Sequence, residues 1–186
     1  MSSRPNLRRH LGWILFGALA AAIVVSDQLL KFWIVGRYQV DAPVDVLGDW
    51  VRIDFIHNAG GLFGIFQNAA PLFALVSIGV IGVIVTIEMR WGWRSWLVTL
   101  ALGLLLGGAV GNLIDRVRLQ YVIDFMDIGI DNWRWYIFNI ADSAISVSIG
   151  LLLLLSIFSP HFLAESGGPA DDSAKASPDT ERPEGK

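Results

Sequence analysis

Two stretches, Ala69–Ile87 and Trp96–Ile114, each run for 19 residues without a charged side chain. At about 1.5 Å of rise per residue such a segment spans roughly 28 Å, close to the hydrocarbon thickness of a bilayer. Two flanking stretches are nearly as apolar. Leu11–Val35 is apolar except for Asp27, Gln28 and Lys31, with Ser26 beside them, and Trp135–Phe158 except for Asn139, Asp142 and scattered serines. Helices are the open segments that satisfy their own backbone hydrogen bonds in lipid. The pattern therefore predicts an all-α membrane protein with four transmembrane helices. Composition agrees: 54% of the chain is hydrophobic and 17% charged, against about 25% charged in soluble domains.

Arg4, Arg8 and Arg9 followed by an apolar run containing Ala18-Leu19-Ala20 have the look of a cleavable signal peptide. The apolar character resumes after Asp27, however, and makes the segment too long for that reading. Trp91, Trp93 and Trp96, and then Trp133, Trp135 and Tyr136, mark the ends of spans as an interfacial belt does. Helix four is expected to open among the second group. Arginines on the two sides are equal in number, so the dense N-terminal cluster decides the orientation and places both termini in the cytoplasm.

Within residues 36–68, Val51-Arg52-Ile53-Asp54-Phe55 alternates apolar and charged. That predicts a small extracytoplasmic β element between helices one and two, at the outer membrane surface. The chain thus divides into a basic cytoplasmic N-terminus (1–10), a membrane-embedded region (11–158) and an acidic cytoplasmic tail (159–186). Ala164–Lys186 has no Ile, Leu, Val or aromatic residue and holds three of the seven prolines, so it is expected to be disordered. No internal repeat is visible.

Much chemistry is excluded at once. With no cysteine there are no disulfides, thiolate nucleophiles or Cys-based metal sites. The histidines, His10, His57 and His161, are far apart and form no zinc motif. A net charge of −3 offers no basic excess for nucleic acid. No metal, no cofactor and no nucleic-acid partner are expected.

Ionisable residues in transmembrane segments are costly, so each is a functional candidate. Asp27 and Lys31 fall near the end of helix one, and Asn112, Asp115 and Arg116 at the end of helix three. His57 and Asn58 precede helix two, and Asn139 and Asp142 fall near the start of helix four. Alternating helix direction brings all of them to one face of the membrane. Asp27 and Lys31, spaced i,i+4, read as an ion pair or as a lysine snorkelling to the headgroups beside its counter-ion. Gly103, Gly107 and Gly111, with Gly108, form a small-residue seam that lets helices approach.

On helix four, Asn139, Asp142, Ser143, Ser146 and Gly150 share an arc of about 100°, with Asp142 about two turns in. Its functional meaning depends on a partner from the segment between helices three and four, which holds Asp115, Asp124, Asp127 and Asp131. Asp124, flanked by Tyr121-Val122-Ile123 and Phe125, ranks first and Asp115 second. Asp127 and Asp131, among Gly and Asn, read as solvated turn residues. Two carboxylates at a partly dry interface share a proton and their pKa values split. One can then act as base on a water while the other donates to a carbonyl oxygen.

Five segments carry a family resemblance. They are Ser26-Asp27-Gln28-Leu29-Leu30-Lys31, His57-Asn58-Ala59-Gly60-Gly61-Leu62-Phe63-Gly64, Gly107-Gly108-Ala109-Val110-Gly111-Asn112-Leu113-Ile114-Asp115-Arg116, Val122-Ile123-Asp124-Phe125 and Phe138-Asn139-Ile140-Ala141-Asp142. In this order the chain resembles lipoprotein signal peptidase (signal peptidase II), a family of membrane aspartyl proteases, from about Leu11 to Phe158. The resemblance implies that Asp124 and Asp142 are the catalytic pair. It implies that Asn112, Arg116 and Asn139 hold the pair and the substrate backbone, and that Asn58 and Gly60 lie in an outer loop contacting substrate. Asp27 and Lys31 would support the first helix, with Asp115 among the supporting residues. Leu62 departs from the family, which usually has a small residue there.

The implied activity is removal of the signal peptide from diacylglyceryl-modified bacterial prolipoproteins, just before the lipidated cysteine. The implied setting is the bacterial inner membrane, among membrane lipids, with the active site on the extracytoplasmic face. The alternative is a small proton-coupled transporter using Asp27, Lys31 and Asp142. Carriers tend to place polar residues at the midplane and to show internal symmetry, and neither is visible here.

Overall fold

The computed structural model describes residues 4–60, 69–91 and 95–158. Leu62, Trp93 and the expected tail 159–186 lie outside them. Four helices, α1 (Arg4–Val35), α2 (Ala70–Trp91), α3 (Trp96–Leu119) and α4 (Ile140–Phe158), are each long and apolar enough to cross a membrane. The chain is a multi-pass membrane protein. Leu29, Phe32, Leu75, Val83, Leu154 and Phe158 are exposed on the helix surfaces, as side chains facing lipid must be.

Helix α3 is the hub, packed against α1, α2 and α4 and the most buried of the four. Its glycines make this possible. A Cβ on Gly107 would lie 2.7 Å from the Ile23 Cβ and 2.9 Å from the Ala20 carbonyl, and one on Gly103 3.2 Å from the Phe16 carbonyl, both against α1. Gly108 meets the Ala141 carbonyl of α4 in the same way, and Gly111 lies against both Ala141 and the Asp27 carboxylate. The seam is thus two-sided, and it draws α1 and α4 onto α3 close enough for short polar side chains to meet. Phe16, Ile84, Val98 and Leu102 form the apolar core at the other end of the bundle.

Over one end of the helices lies an antiparallel sheet, β1 (Val44–Leu47), β2 (Val51–Asn58), β3 (Val122–Ile130) and β4 (Trp133–Arg134), in that order. The β element expected between helices one and two is present as β1 and β2, but it is only half of the sheet. The other half comes from the segment between α3 and α4. Val51 pairs with Ile128 and Asn58 with Val122, with a register irregularity between Ile53 and Ile56. Ile34, Phe55, Ile123 and Phe125 are buried together and fasten the sheet to the end of α1.

Three local expectations are corrected. Helix α4 begins at Ile140, not among Trp133–Tyr136. Trp133 is in β4, and the Phe138 backbone exchanges hydrogen bonds with Met126 at 2.8 and 3.1 Å, so it is committed to β3 and not to a helix. Asp142 is therefore in the first turn of α4, not two turns in. Asp127 is no solvated turn residue: it is 5% exposed and accepts from the Arg134 Nε at 2.7 and 2.8 Å. Asp131 does occupy an exposed turn, with φ 48°.

Candidate active site

The local sequence Asn139-Ile140-Ala141-Asp142 starts α4 with a reciprocal cap. The Asp142 N–H donates to the Asn139 Oδ1 at 2.9 Å, and the Asn139 N–H donates to the Asp142 Oδ2 at 3.3 Å. This is the logic of a capping box, with an aspartate in the third helical position. It holds the Asp142 carboxylate at the helix start. The Asn139 side-chain amide then reaches the other way, donating to the Asp124 Oδ1 at 2.6 Å. One asparagine thereby ties both carboxylates together.

The remaining oxygens are met from two other elements. Asn58, at the end of β2, donates to the Asp124 Oδ2 at 2.8 Å, and its own Oδ1 accepts from the Gly60 N–H at 3.1 Å. Asn112, on α3, donates to the Asp142 Oδ1 at 2.7 Å. Each of the four carboxylate oxygens thus faces one N–H donor. Asp124 and Asp142 line a single cavity of about 560 Å³ together with Asn58, Asn112, Arg116 and Tyr136. Asp124 is 1% exposed. Burial first, and the charge of Asp142 second, push its carboxyl up to about 7. A pair so placed keeps one proton near neutral pH, the condition for one member to accept a proton from water while the other donates.

A buried ionic cluster stands behind the pair. The Lys31 ammonium is 2.7 Å from the Asp27 Oδ2 and 2.7 Å from the Asp115 Oδ2, and all three residues are at most 2% exposed. The snorkelling alternative for Lys31 is thereby excluded. Lys31 also donates to the Asn112 Oδ1 at 3.3 Å, which accepts from the Asn139 amide at 3.1 Å as well. With both acceptor directions occupied, the Asn112 NH2 is left to point at Asp142. Asp27 accepts from the Ala141 N–H at 3.0 Å, binding α1 to the start of α4. Asp115 accepts from the Ile123 N–H at 3.2 Å, binding α3 to β3. Among the described residues, Arg116 makes one long bond, 3.4 Å, to the Asn112 carbonyl and lays its guanidinium over the Phe73 ring at 5.5 Å.

All ten residues singled out from the sequence therefore meet at one end of the bundle. Sequence reasoning missed Gln28, whose amide donates to the Asp115 Oδ1 at 2.9 Å and to the Gly111 carbonyl at 3.3 Å. Its position beside Asp27 inside an apolar run was the available signal. It also missed Phe73, for which the sequence holds none.

Membrane-crossing helices with a carboxylate pair gathered at their sheet-covered end define a polytopic membrane protein with a polar site at that end. The chain belongs to the signal peptidase II family: the family model described as Signal peptidase (SPase) II matches residues 19–158. It is 37% identical over 145 residues to the lipoprotein signal peptidase of Lactobacillus gasseri, covering 78% of this chain and 93% of that one. The lipoprotein signal peptidase of Bacillus velezensis is 34% identical over 154 residues, covering 83% and 97%. A solved bacterial membrane enzyme superposes with a TM-score of 0.69 over 88% of this chain and 93% of its own. At 24% identity that likeness is one of fold.

Proposed function

We propose that this protein is a membrane aspartic endopeptidase that removes the signal peptide from diacylglyceryl-modified bacterial prolipoproteins, cutting just before the lipidated cysteine. The carrying observation is the pairing of Asp124 and Asp142 through Asn139, with an amide donor on every carboxylate oxygen. In the working state the pair shares one proton. The ionised member takes a proton from a water as it attacks the scissile carbonyl, and the protonated member donates to the carbonyl oxygen. Proton transfer to the leaving amine then completes cleavage without a covalent intermediate. Asn58, Asn112 and Asn139 orient the pair, and the Asp27–Lys31–Asp115 cluster fixes the helices that carry them.

The setting follows the same reading: the bacterial inner membrane, both termini cytoplasmic, sheet and site on the extracytoplasmic face. A second, apolar hollow shares Val76, Val80 and Leu105 with the site cavity and is lined further by Val83, Ile84 and Leu152. That hollow offers a signal helix an apolar bed beside the carboxylates. The transporter reading gains nothing from the geometry, since Asp27, Lys31 and Asp142 belong to one hydrogen-bonded group at one end of the bundle.

The test is cleavage of a purified diacylglyceryl-modified precursor by the protein in lipid nanodiscs, with EDTA present throughout. The expected product begins at the lipidated cysteine. Equal cleavage of the unlipidated precursor, or none of either, counts against the proposal. The pH profile carries a sign. Asp124 is protonated below about 7, so the shared proton is lost as pH rises through that value. The rate is expected to fall roughly tenfold per unit on that alkaline limb.

A further inference from the structure

Hydroxyls inside apolar helices ordinarily bond back to the backbone of their own or a neighbouring helix. Several do so here: Thr86 donates to the Gly82 carbonyl at 2.8 Å, Ser143 to the Asn139 carbonyl at 3.0 Å and Ser148 to the Ala101 carbonyl at 2.6 Å. Ser26, Ser77, Ser146 and Ser156 do not, and of these four Ser77 on α2 and Ser146 on α4 are set apart by what they face. Both line the cavity that holds Asp124 and Asp142, and among the described residues neither hydroxyl has a hydrogen-bond partner. Their depth is matched. Both helices start at the site end, and at 1.5 Å per residue Ser77 lies about 10.5 Å from the start of α2 and Ser146 about 9 Å from the start of α4. Ser146 is one turn beyond Asp142. Ser77 is one turn beyond Phe73, the ring that holds the Arg116 guanidinium.

An apolar helix delivered to a protease must end before the bond that is cut, because a helical carbonyl is shielded from attack. Its last four C=O groups then have no partner within the helix. In hydrocarbon no water is there to satisfy them. We propose that Ser77 and Ser146, with the Arg116 guanidinium nearer the site end, form a receptor for the carbonyl end of the substrate helix. The two hydroxyls donate to orphaned carbonyls one turn below the carboxylate pair. The guanidinium, spared any carboxylate partner among the described residues, supplies further donors and a positive charge where the helix dipole is negative. This rests on the peptidase reading and names the part of the substrate that the unpartnered hydroxyls recognise.

The test compares Ser77→Ala, Ser146→Ala, the double variant, and Ser77→Thr and Ser146→Thr on the lipidated precursor, with melting temperatures in parallel. Each alanine is expected to lower kcat/KM about five- to tenfold, the effect of one lost hydrogen bond, and the double variant roughly 25- to 100-fold. Each threonine restores the rate to within about twofold, and no melting temperature moves. Alanine variants within twofold of the wild type, or threonines as slow as the alanines, overturn the inference alone. Failure of the wild-type chain to cleave overturns the peptidase reading and this inference with it.

Discussion

Asp124→Asn and Asp142→Asn are each expected to lose on the order of a thousandfold or more in turnover of the lipidated precursor, with folding and membrane insertion intact. The amide keeps the carboxylate's shape but can neither take a proton from water nor hand one on, and positioned acid–base catalysis is worth roughly 10²–10⁴. Normal turnover by either variant would remove that residue from the mechanism. Asp124→Asn carries a second expectation of opposite sign for stability. The Asp124 carboxyl is raised from 3.8 to about 7 in the fold, so its contribution is full below about pH 4 and lost as pH rises through 7. A neutral amide escapes that loss. The variant should gain on the wild type at pH 8, by a few kcal/mol at most, and the gain should shrink toward pH 5. Asn58 and Asn139 both donate into Asp124, so the new NH2 faces a donor and trims the gain.

Lys31→Met is expected to be the most damaging single change to the fold. It leaves the Asp27 and Asp115 carboxylates, at most 2% exposed, facing each other across the place of a lost cation. Breaking one partner out of a buried ionic cluster costs about 3–5 kcal/mol, which for a chain of this size lowers the melting temperature on the order of 10 °C. Activity should fall as well, because Lys31 also occupies the Asn112 oxygen and so aims its NH2 at Asp142. Adding Asp27→Asn and Asp115→Asn to Lys31→Met removes the stranded charges and should recover much of the stability without the activity. An Lys31→Met protein as stable as the wild type would refute this role for the cluster.

Most of the site was legible because membrane helices constrain sequence severely. Long apolar runs, two of them free of charge, located the four spans, and alternating direction alone placed Asp27, Asn112 and Asp142 at one end. The apolar neighbours of Asp124 marked it as buried, which it is. The sheet was less visible. Val122–Ile130 mixes apolar residues with two aspartates and lacks a clean alternation, and its partner β2 lies more than sixty residues earlier in the chain. Asp127 misled because its counter-charge, Arg134, arrives from a hairpin that the local composition does not announce. The start of α4 misled for a similar reason: Trp135–Phe138 is apolar enough for a helix, but the Phe138 backbone is already paired with Met126. The spacing Asn139-x-x-Asp142 is itself a helix-start signal and marks the true boundary.

The claim that two carboxylates act as one proton-sharing unit is tested most directly by infrared titration of the ¹³C-aspartate-labelled protein in nanodiscs. Subtracting the Asp124→Asn spectrum isolates the Asp124 carboxyl band. A protonated band that disappears with a midpoint near pH 7, and at distinctly lower pH once Asp142 is replaced by Asn, is the predicted result. A midpoint near 4, or one that ignores the replacement of Asp142, would contradict the account.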